Sequence, residues 1–201
     1  MKKKGIILVL LVVIFTGCTI VRIDTTSIDN IVSVVLSKNN TLYNRVGIGY
    51  KYYVPRGVTY IDSRGSNDRL YSNGVYYYLY LDEIAYFYNI NIEFTEDNSK
   101  YYSQRIINGD NIGYLEITEQ NNLYLVEFVY NYAKIEALVP EEDINMVVLN
   151  SSYILSTIKY NHNIIKLSLG EDFLKTKEEK YDKFKTDKET DSFLRYEDKK
   201  D

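Results

Sequence analysis

The strongest constraint on the fold is a set of short turns between strand-like segments. The clearest lies in LYSNGVYYYLYLD, residues 70–82, where Asn73-Gly74 suits the positive φ angles of a two-residue type I′ hairpin. Side chains alternate along the strand after this turn, with one face made of Val75, Tyr77, Leu79 and Leu81 and the other of Tyr76, Tyr78 and Tyr80. We expect the first set to face the core.

Further turns are predicted at Asp97-Asn98, Asn108-Gly109 and Asn121-Asn122. They separate the strand-like segments NIEFTE, YYSQRII, GYLEITE and LYLVEFVYNYAKIEALV. Parallel strands need a long crossover connection, so links this short favour antiparallel neighbours. The pattern therefore predicts an antiparallel meander of about five to seven strands.

Helical periodicity appears on both sides of the predicted sheet. After Pro140 one helical face collects Ile144, Val147, Val148, Ser151, Ile154, Leu155 and Ile158. An earlier stripe begins near Ile28, where Thr26 and Asp29 have the spacing of a capping box. The predicted class is α+β: a meander sheet packed with an N-terminal and a C-terminal helix.

The segment HNIIKLSLG predicts a last short strand, after which the composition changes. From Glu171 to Asp201, 20 of the 31 residues are Asp, Glu, Lys or Arg. Such a run is typical of a solvated helix or a disordered tail. We therefore divide the chain into residues 1–17, a single domain at 18–170, and a charged tail at 171–201.

The N-terminus combines three features of an exported protein. Lys2, Lys3 and Lys4 precede the apolar run Ile6–Phe15, which is ten residues long. A transmembrane helix needs roughly 20 apolar residues, so this run is too short to cross the bilayer. A basic start, a short apolar stretch and small residues before a cleavage site are typical of a signal peptide.

Thr16-Gly17-Cys18 resembles the lipobox of bacterial lipoproteins, with Phe15 where that family favours leucine. The resemblance implies that the Cys18 thiol receives a diacylglyceryl group and that a peptidase cuts just before it. Two acyl chains hold a protein on a membrane stably, whereas one binds marginally. Cys18 is the single cysteine, so its lipidation leaves none for disulfides and the domain depends on its core.

Two segments are similar to PsbP/Mog1-like domains. GYKYYVPRGV resembles the aromatic strand with a Pro-Gly corner of that group, and ILSTIKYN resembles its closing helix. The likeness covers residues 45–162, with Val58-Thr59-Tyr60 where the group usually has tryptophan. The whole chain also resembles small uncharacterised lipoproteins of Gram-positive bacteria. Both resemblances imply a compact, non-catalytic α+β domain that serves envelope or membrane assemblies.

The charge balance bears on possible partners. The formal net charge is −4, and it becomes −7 when Lys2, Lys3 and Lys4 leave with the signal peptide. Nucleic-acid binding requires a basic face, so an acidic chain argues against that partner. The same balance argues against electrostatic adhesion to anionic lipid and assigns anchoring to the lipid on Cys18.

Tyrosine is unusually frequent, with 22 residues and no tryptophan. The codon preference of an AT-rich genome explains this abundance together with that of Ile, Asn and Lys, and it is the favoured explanation. The alternative is a binding surface, because tyrosine provides large amphipathic contacts at low entropic cost. In that case Tyr76, Tyr78 and Tyr80 are the ligand-binding candidates, for a small molecule or a glycan.

A search for catalytic and metal-binding residues finds only weak patterns. His162 is the single histidine and lies in the Asn-flanked stretch YNHNI, which favours an exposed loop position. Glu141, Glu142 and Asp143 are explained by the positive end of a helix dipole. Residues 62–70 offer Asp62, Asn67 and Asp68 as calcium ligands, but an ordinary hairpin loop is the favoured interpretation. We predict no enzyme activity, cofactor or metal.

These observations predict a lipid-anchored, non-enzymatic domain on the extracytoplasmic face of the cell membrane. Its expected contacts are membrane lipid through Cys18 and a protein of the cell envelope. A small-molecule or glycan-binding lipoprotein is the alternative. An envelope hydrolase remains a third hypothesis, which requires carboxylates from distant segments to meet in a cleft.

Overall fold

The computed structural model describes residues 24–169 and the backbone of Lys183–Phe184. Cys18, the predicted signal peptide and most of the predicted charged tail lie outside the described residues. The helices of the described part are α1 (Ile28–Leu36), α2 (Glu83–Phe87), α3 (Ile144–Thr157) and α4 (His162–Leu169), with a 3₁₀ turn at Glu141–Asp143. Not one of them is long and apolar enough to span a membrane.

The strands vary from two to ten residues. They are β1 (Arg45–Val46), β2 (Tyr50–Tyr52), β3 (Thr59–Arg64), β4 (Asn67–Ser72), β5 (Val75–Leu81), β6 (Asn91–Ile92), β7 (Tyr102–Asn108), β8 (Asn111–Gln120), β9 (Leu123–Tyr130), β10 (Ala133–Val139), β11 (Lys159–Tyr160) and β12 (Lys183–Phe184).

The central sheet has seven strands in the order β3-β4-β5-β10-β9-β8-β7, and all its neighbours are antiparallel. It consists of two meanders, β3 to β5 and β7 to β10, which are joined by the β5–β10 pair. The predicted α+β class with an antiparallel meander sheet is therefore confirmed. Asn73 and Gly74 have φ angles of 49° and 87°, as the predicted type I′ turn requires.

One face of this sheet forms the main core with α1 and α3. The predicted inner face of β5 is buried there, and so is the whole stripe predicted on the C-terminal helix. From α1, the same core receives Ile31, Val32 and Leu36. The helices pack against each other and α3 also packs on β9 and β10, so the sheet carries one helical layer on this side.

Several local predictions are wrong. HNIIKLSL forms α4 rather than a strand, and NIEFTE contributes only β6. The segment after Asn122 is two strands, because Asn131 and Tyr132 form a turn with φ angles of 50° and 58°. At the start of α1 the N-cap is Ser27, whose Oγ accepts a hydrogen bond from Asn30 N at 3.3 Å.

Two smaller sheets complete the described structure. In the first, β2 lies between β1 and β11, with antiparallel pairing on both sides. In the second, β12 pairs with β6 in parallel. The first of these sheets closes the α3 end of the core, since Tyr50 and Tyr52 of β2 are buried in it.

Candidate functional site

Charged side chains are buried on the second face of the central sheet. Glu116, Glu127 and Glu136 stand in direct register on the adjacent strands β8, β9 and β10, and all three are buried. Lys134 Nζ lies 3.1 Å from Glu136 Oε1, and the two side chains are only 7% and 5% exposed. Like charges directly opposite each other destabilise a sheet, so this row depends on compensating partners.

A covering layer explains why these charges are buried. Residues from α2 to Phe94 cross the second face, where Ala85, Ile90 and Ile92 pack with Tyr114 and Val129. The Phe94 and Tyr114 rings stack with centroids 4.1 Å apart, and the Tyr114 hydroxyl donates a hydrogen bond to Glu127 Oε1. The carboxylate row thus belongs to a second, polar core and not to an open cleft.

The three candidate tyrosines on β5 lie at the margin of this polar core. Tyr76 is 44% exposed, Tyr78 is 4% exposed, and Tyr80 is half-buried. Tyr78 stands opposite Glu136 and Tyr80 opposite Lys134, while the Tyr76 ring lies 5.1 Å from that of Tyr71. Their unequal burial means that the three rings do not present one continuous exposed surface.

Other tyrosines have their ionisation suppressed by the fold. Burial, aided by the charge of Asp68, raises the pKa of Tyr50 to about 12. Burial also raises the pKa of Tyr52, whose hydroxyl donates to Asp68 Oδ2 at 2.5 Å. The pKa of Tyr102 is raised mainly by burial and secondly by the hydrogen bond that its hydroxyl donates to Asp29. The hydroxyls of Tyr52 and Tyr102 act as neutral donors in the structure.

We expect cooperative unfolding in alkali. In the unfolded chain tyrosines ionise near pH 10, whereas the folded state keeps Tyr50, Tyr52 and Tyr102 neutral at that pH. Their contribution to stability is complete below pH 10 and is lost progressively above it, with the Tyr50 part lost as pH rises through about 12. Tyr50 alone accounts for up to about 2 kcal/mol of the loss after solvent screening. Tyrosinate absorbance at 295 nm and the circular dichroism signal should change together as the pH is raised. Independent, non-cooperative ionisation of all tyrosines near pH 10 would contradict cooperative unfolding in alkali.

The polar residues that the sequence suggested for catalysis or calcium are not brought together. His162 is exposed, begins α4 and stacks on Phe87 with centroids 4.6 Å apart. Asp62 pairs with Arg69 at 2.7 Å, whereas Asp68 points into the core. Glu141 and Glu142 are exposed on the 3₁₀ turn. Within the described residues, no group of three His, Cys, Asp or Glu side chains could hold a metal ion.

A groove lies between α1 and β7. It has a volume of about 700 Å³ and is open to solvent. Apolar side chains, Val32, Leu36 and Ile106, form its floor. Side chains with hydroxyl or amide groups line its sides: Ser27, Asn30, Ser33, Ser37, Gln104 and Asn108.

Two hydrogen bonds fix the width of this groove. The Tyr102 hydroxyl donates to Asp29 Oδ1 at 2.6 Å near the start of α1, and Asn108 Nδ2 donates to the Leu36 carbonyl at 2.6 Å near its end. The helix and the strand are therefore held side by side at both ends. The sequence did not predict this groove, because it depends on how α1 is placed along β7.

The chemistry of the groove suits binding of a peptide backbone. The strand β7 is the last in the central sheet, so one of its edges has no neighbouring strand among the described residues. Glu96 Oε1 accepts a hydrogen bond from Arg105 N at 2.8 Å and so occupies one group on that edge. Ile107, whose side chain is 67% exposed, also lines the groove.

Comparison with known proteins adds no family assignment. No protein-family model, no curated protein and no solved structure matches this chain.

Proposed function

We propose that this chain is a lipid-tethered, non-enzymatic domain on the extracytoplasmic face of the cell membrane, acting through contacts with an envelope protein. The tether is the diacylglyceryl group expected on Cys18. The observation that carries the binding part of the proposal is the open groove between α1 and the edge strand β7.

The proposed occupant is an extended segment of the partner protein. An exposed sheet edge binds such a segment through main-chain hydrogen bonds, and side pockets provide specificity. In this groove β7 offers the edge, while Ser33, Gln104 and Asn108 offer polar groups to the segment. The buried Val32, Leu36 and Ile106 beneath them suit alternate apolar side chains of the segment.

Site-specific photo-crosslinking in intact cells tests the proposal. A photoreactive residue replaces Ile107, an exposed residue that lines the groove. We expect it to yield one discrete product, with the crosslink mapped to an extended partner peptide. The matched control places the same residue at Ile61, an exposed position on β3 at the opposite edge of the same sheet. The control position should give no such product.

Two further variants distinguish the contribution of the groove to the crosslink from that of the lipid on Cys18. Ser33→Trp fills the groove from an exposed position, so it should reduce the crosslinked product about tenfold or more while leaving stability within about 0.5 kcal/mol. Cys18→Ser should release the protein from the membrane fraction and reduce the product. Identical products at positions 107 and 61, or an unchanged yield with Ser33→Trp, would refute the binding of a partner segment in the groove.

A further inference from the structure

The small sheet and α4 form a surface whose charge is opposite to that of the whole chain. No Asp or Glu occurs from Asn30 to Ile61 or from Ile144 to Leu169, although the protein is acidic overall. These two stretches meet in the fold, because β1 and β2 come from the first and β11 and α4 from the second. The side chains that these two stretches expose therefore include lysines but no carboxylates, so the local surface is basic although the whole chain is acidic.

Close contacts join these elements into one unit. The Gly49 carbonyl accepts a hydrogen bond from Asn161 N at 2.7 Å, which fixes the β1–β2 turn to the start of α4. An ideal Cβ placed on Gly49 would lie 2.7 Å from Ile165 Cγ1, so the turn and the helix pack without a gap. Side chains displayed by the turn and by α4 therefore belong to one continuous surface.

Lysines are concentrated on the outer side of the small sheet. Val46 and Lys51 are direct partners across β1 and β2, and Lys51 faces Lys159 across β2 and β11. Lys51 Nζ also lies 4.1 Å from the centre of the Tyr43 ring. Within residues 24–169 neither lysine forms an ion pair, although like charges directly opposite each other are unfavourable. An anionic partner would remove this repulsion.

Exposed aliphatic side chains occur on the β1–β2 turn and on α4. Ile48 at the tip of the β1–β2 turn is 73% exposed, and Leu167 on α4 is 83% exposed. Ile164 is exposed on the same side of α4 as Leu167, three residues earlier, and Lys166 is exposed between them. Large aliphatic residues projecting among lysines are typical of surfaces that lie in the interface of an anionic membrane.

Two acidic groups, Asp82 and Glu83, act on the opposite side of the small sheet. Asp82 accepts a hydrogen bond from Ala85 N at the start of α2, and Glu83 accepts one from Ser66. Both act electrostatically on Tyr160, a residue whose pKa is raised mainly by burial. Tyr160 pairs with Tyr50 and so lies on the opposite side of the small sheet from Lys51 and Lys159.

We propose that the basic face, defined as Val46, Ile48, Lys51, Lys159 and Leu167, rests on the anionic phospholipid surface to which the chain is tethered. This inference extends the proposed function, since the tether keeps the domain beside the membrane. A weak contact is then sufficient, because tethering makes the second interaction intramolecular. The basic face would orient the domain and leave the groove between α1 and β7 turned towards other proteins.

Lipid-quenching of a single label tests the orientation. The full chain, with Cys18 lipidated and no other cysteine, accepts Ile48→Cys as a unique labelling site. It is labelled with a fluorophore and reconstituted into vesicles of phosphatidylglycerol and brominated phosphatidylcholine. The matched control is Ile107→Cys, an exposed isoleucine on β7. We expect at least about twofold more quenching at position 48, because interfacial apolar groups enter about 5–10 Å into the headgroup and acyl boundary.

Charge variants test the lipid chemistry. Lys51→Glu with Lys159→Glu should abolish the difference between the two labels, whereas Lys38→Glu, which lies outside the basic face, should not. Vesicles of brominated phosphatidylcholine alone should reduce the difference in the unmodified sequence. Equal quenching at positions 48 and 107 in anionic vesicles would overturn the inference, and a specific protein crosslink from position 48 would then identify the face as a protein contact.

The quenching result can be interpreted separately from the question of whether Cys18 is lipidated. Mass spectrometry of the same sample reports whether Cys18 carries lipid. If its thiol is bare, the proposed tether fails, and the comparison is repeated with Cys18→Ser in each labelled variant. The position of the quenched label still reports which face meets the membrane, whatever holds the N-terminus there.

Discussion

Replacing Lys134 with methionine is expected to lower the free energy of unfolding by about 3–5 kcal/mol, the usual cost of removing one partner from a buried ion pair. Lys134 Nζ lies 3.1 Å from Glu136 Oε1, and both side chains are almost fully buried. The variant leaves Glu136 buried beside Glu127 without its ammonium partner. Urea unfolding followed by circular dichroism measures the loss.

A double variant shows whether charge is the cause. Lys134→Met with Glu136→Gln removes both charges, so we expect it to recover most of the lost stability. The comparison on the surface is Asp62→Asn, which breaks the half-exposed pair with Arg69 and should cost about 0–1 kcal/mol. If Lys134→Met costs no more than Asp62→Asn, the buried pair is not a stabilising element of the polar core.

The fold was predictable where short-range chemistry determines it. The Asn73-Gly74 turn fixes the register of β4 and β5, and helical periodicity after Pro140 identifies α3. Prediction failed where tertiary packing decides the structure. HNIIKLSL is a helix whose buried residue, Ile165, packs on Gly49, a contact between residues far apart in sequence. Asn131-Tyr132 turns without glycine, which weakens the sequence signal for that hairpin.

The functional surfaces were less predictable than the fold. The alternation of strand residues already places Glu127 on the second face of its strand, but its burial requires the layer from α2 to Phe94. The groove depends on the tertiary placement of α1 beside β7, which the hydrogen bonds of Tyr102 and Asn108 help to fix. The net charge of −4 also gives no sign of the two stretches without Asp or Glu that supply the proposed basic face.

Replacing Gly113 with alanine is expected to destabilise the protein by about 3 kcal/mol, the upper end of the usual cost of inserting extra atoms into a packed core. Gly113 stands opposite Tyr130 on the core face of β8. A Cβ at this position would lie 2.8 Å from Tyr130 Cα and would also collide with the Val129 carbonyl. Both are backbone groups of a strand held on its two sides, so they cannot move aside as a flexible side chain would.

The control for this effect is Gly109→Ala in the turn between β7 and β8. Gly109 has a φ angle of 60°, and a Cβ there would meet no atom within 4 Å. Its substitution should therefore cost only the backbone penalty of about 1–2 kcal/mol for a residue in the left-handed region. Urea unfolding of the two variants separates the effects. Because the steric clash at Gly113 lies between β8 and β9, only that variant should also weaken amide-exchange protection across both strands. Similar losses of stability and similar amide protection in the two variants would contradict the close approach of these strands.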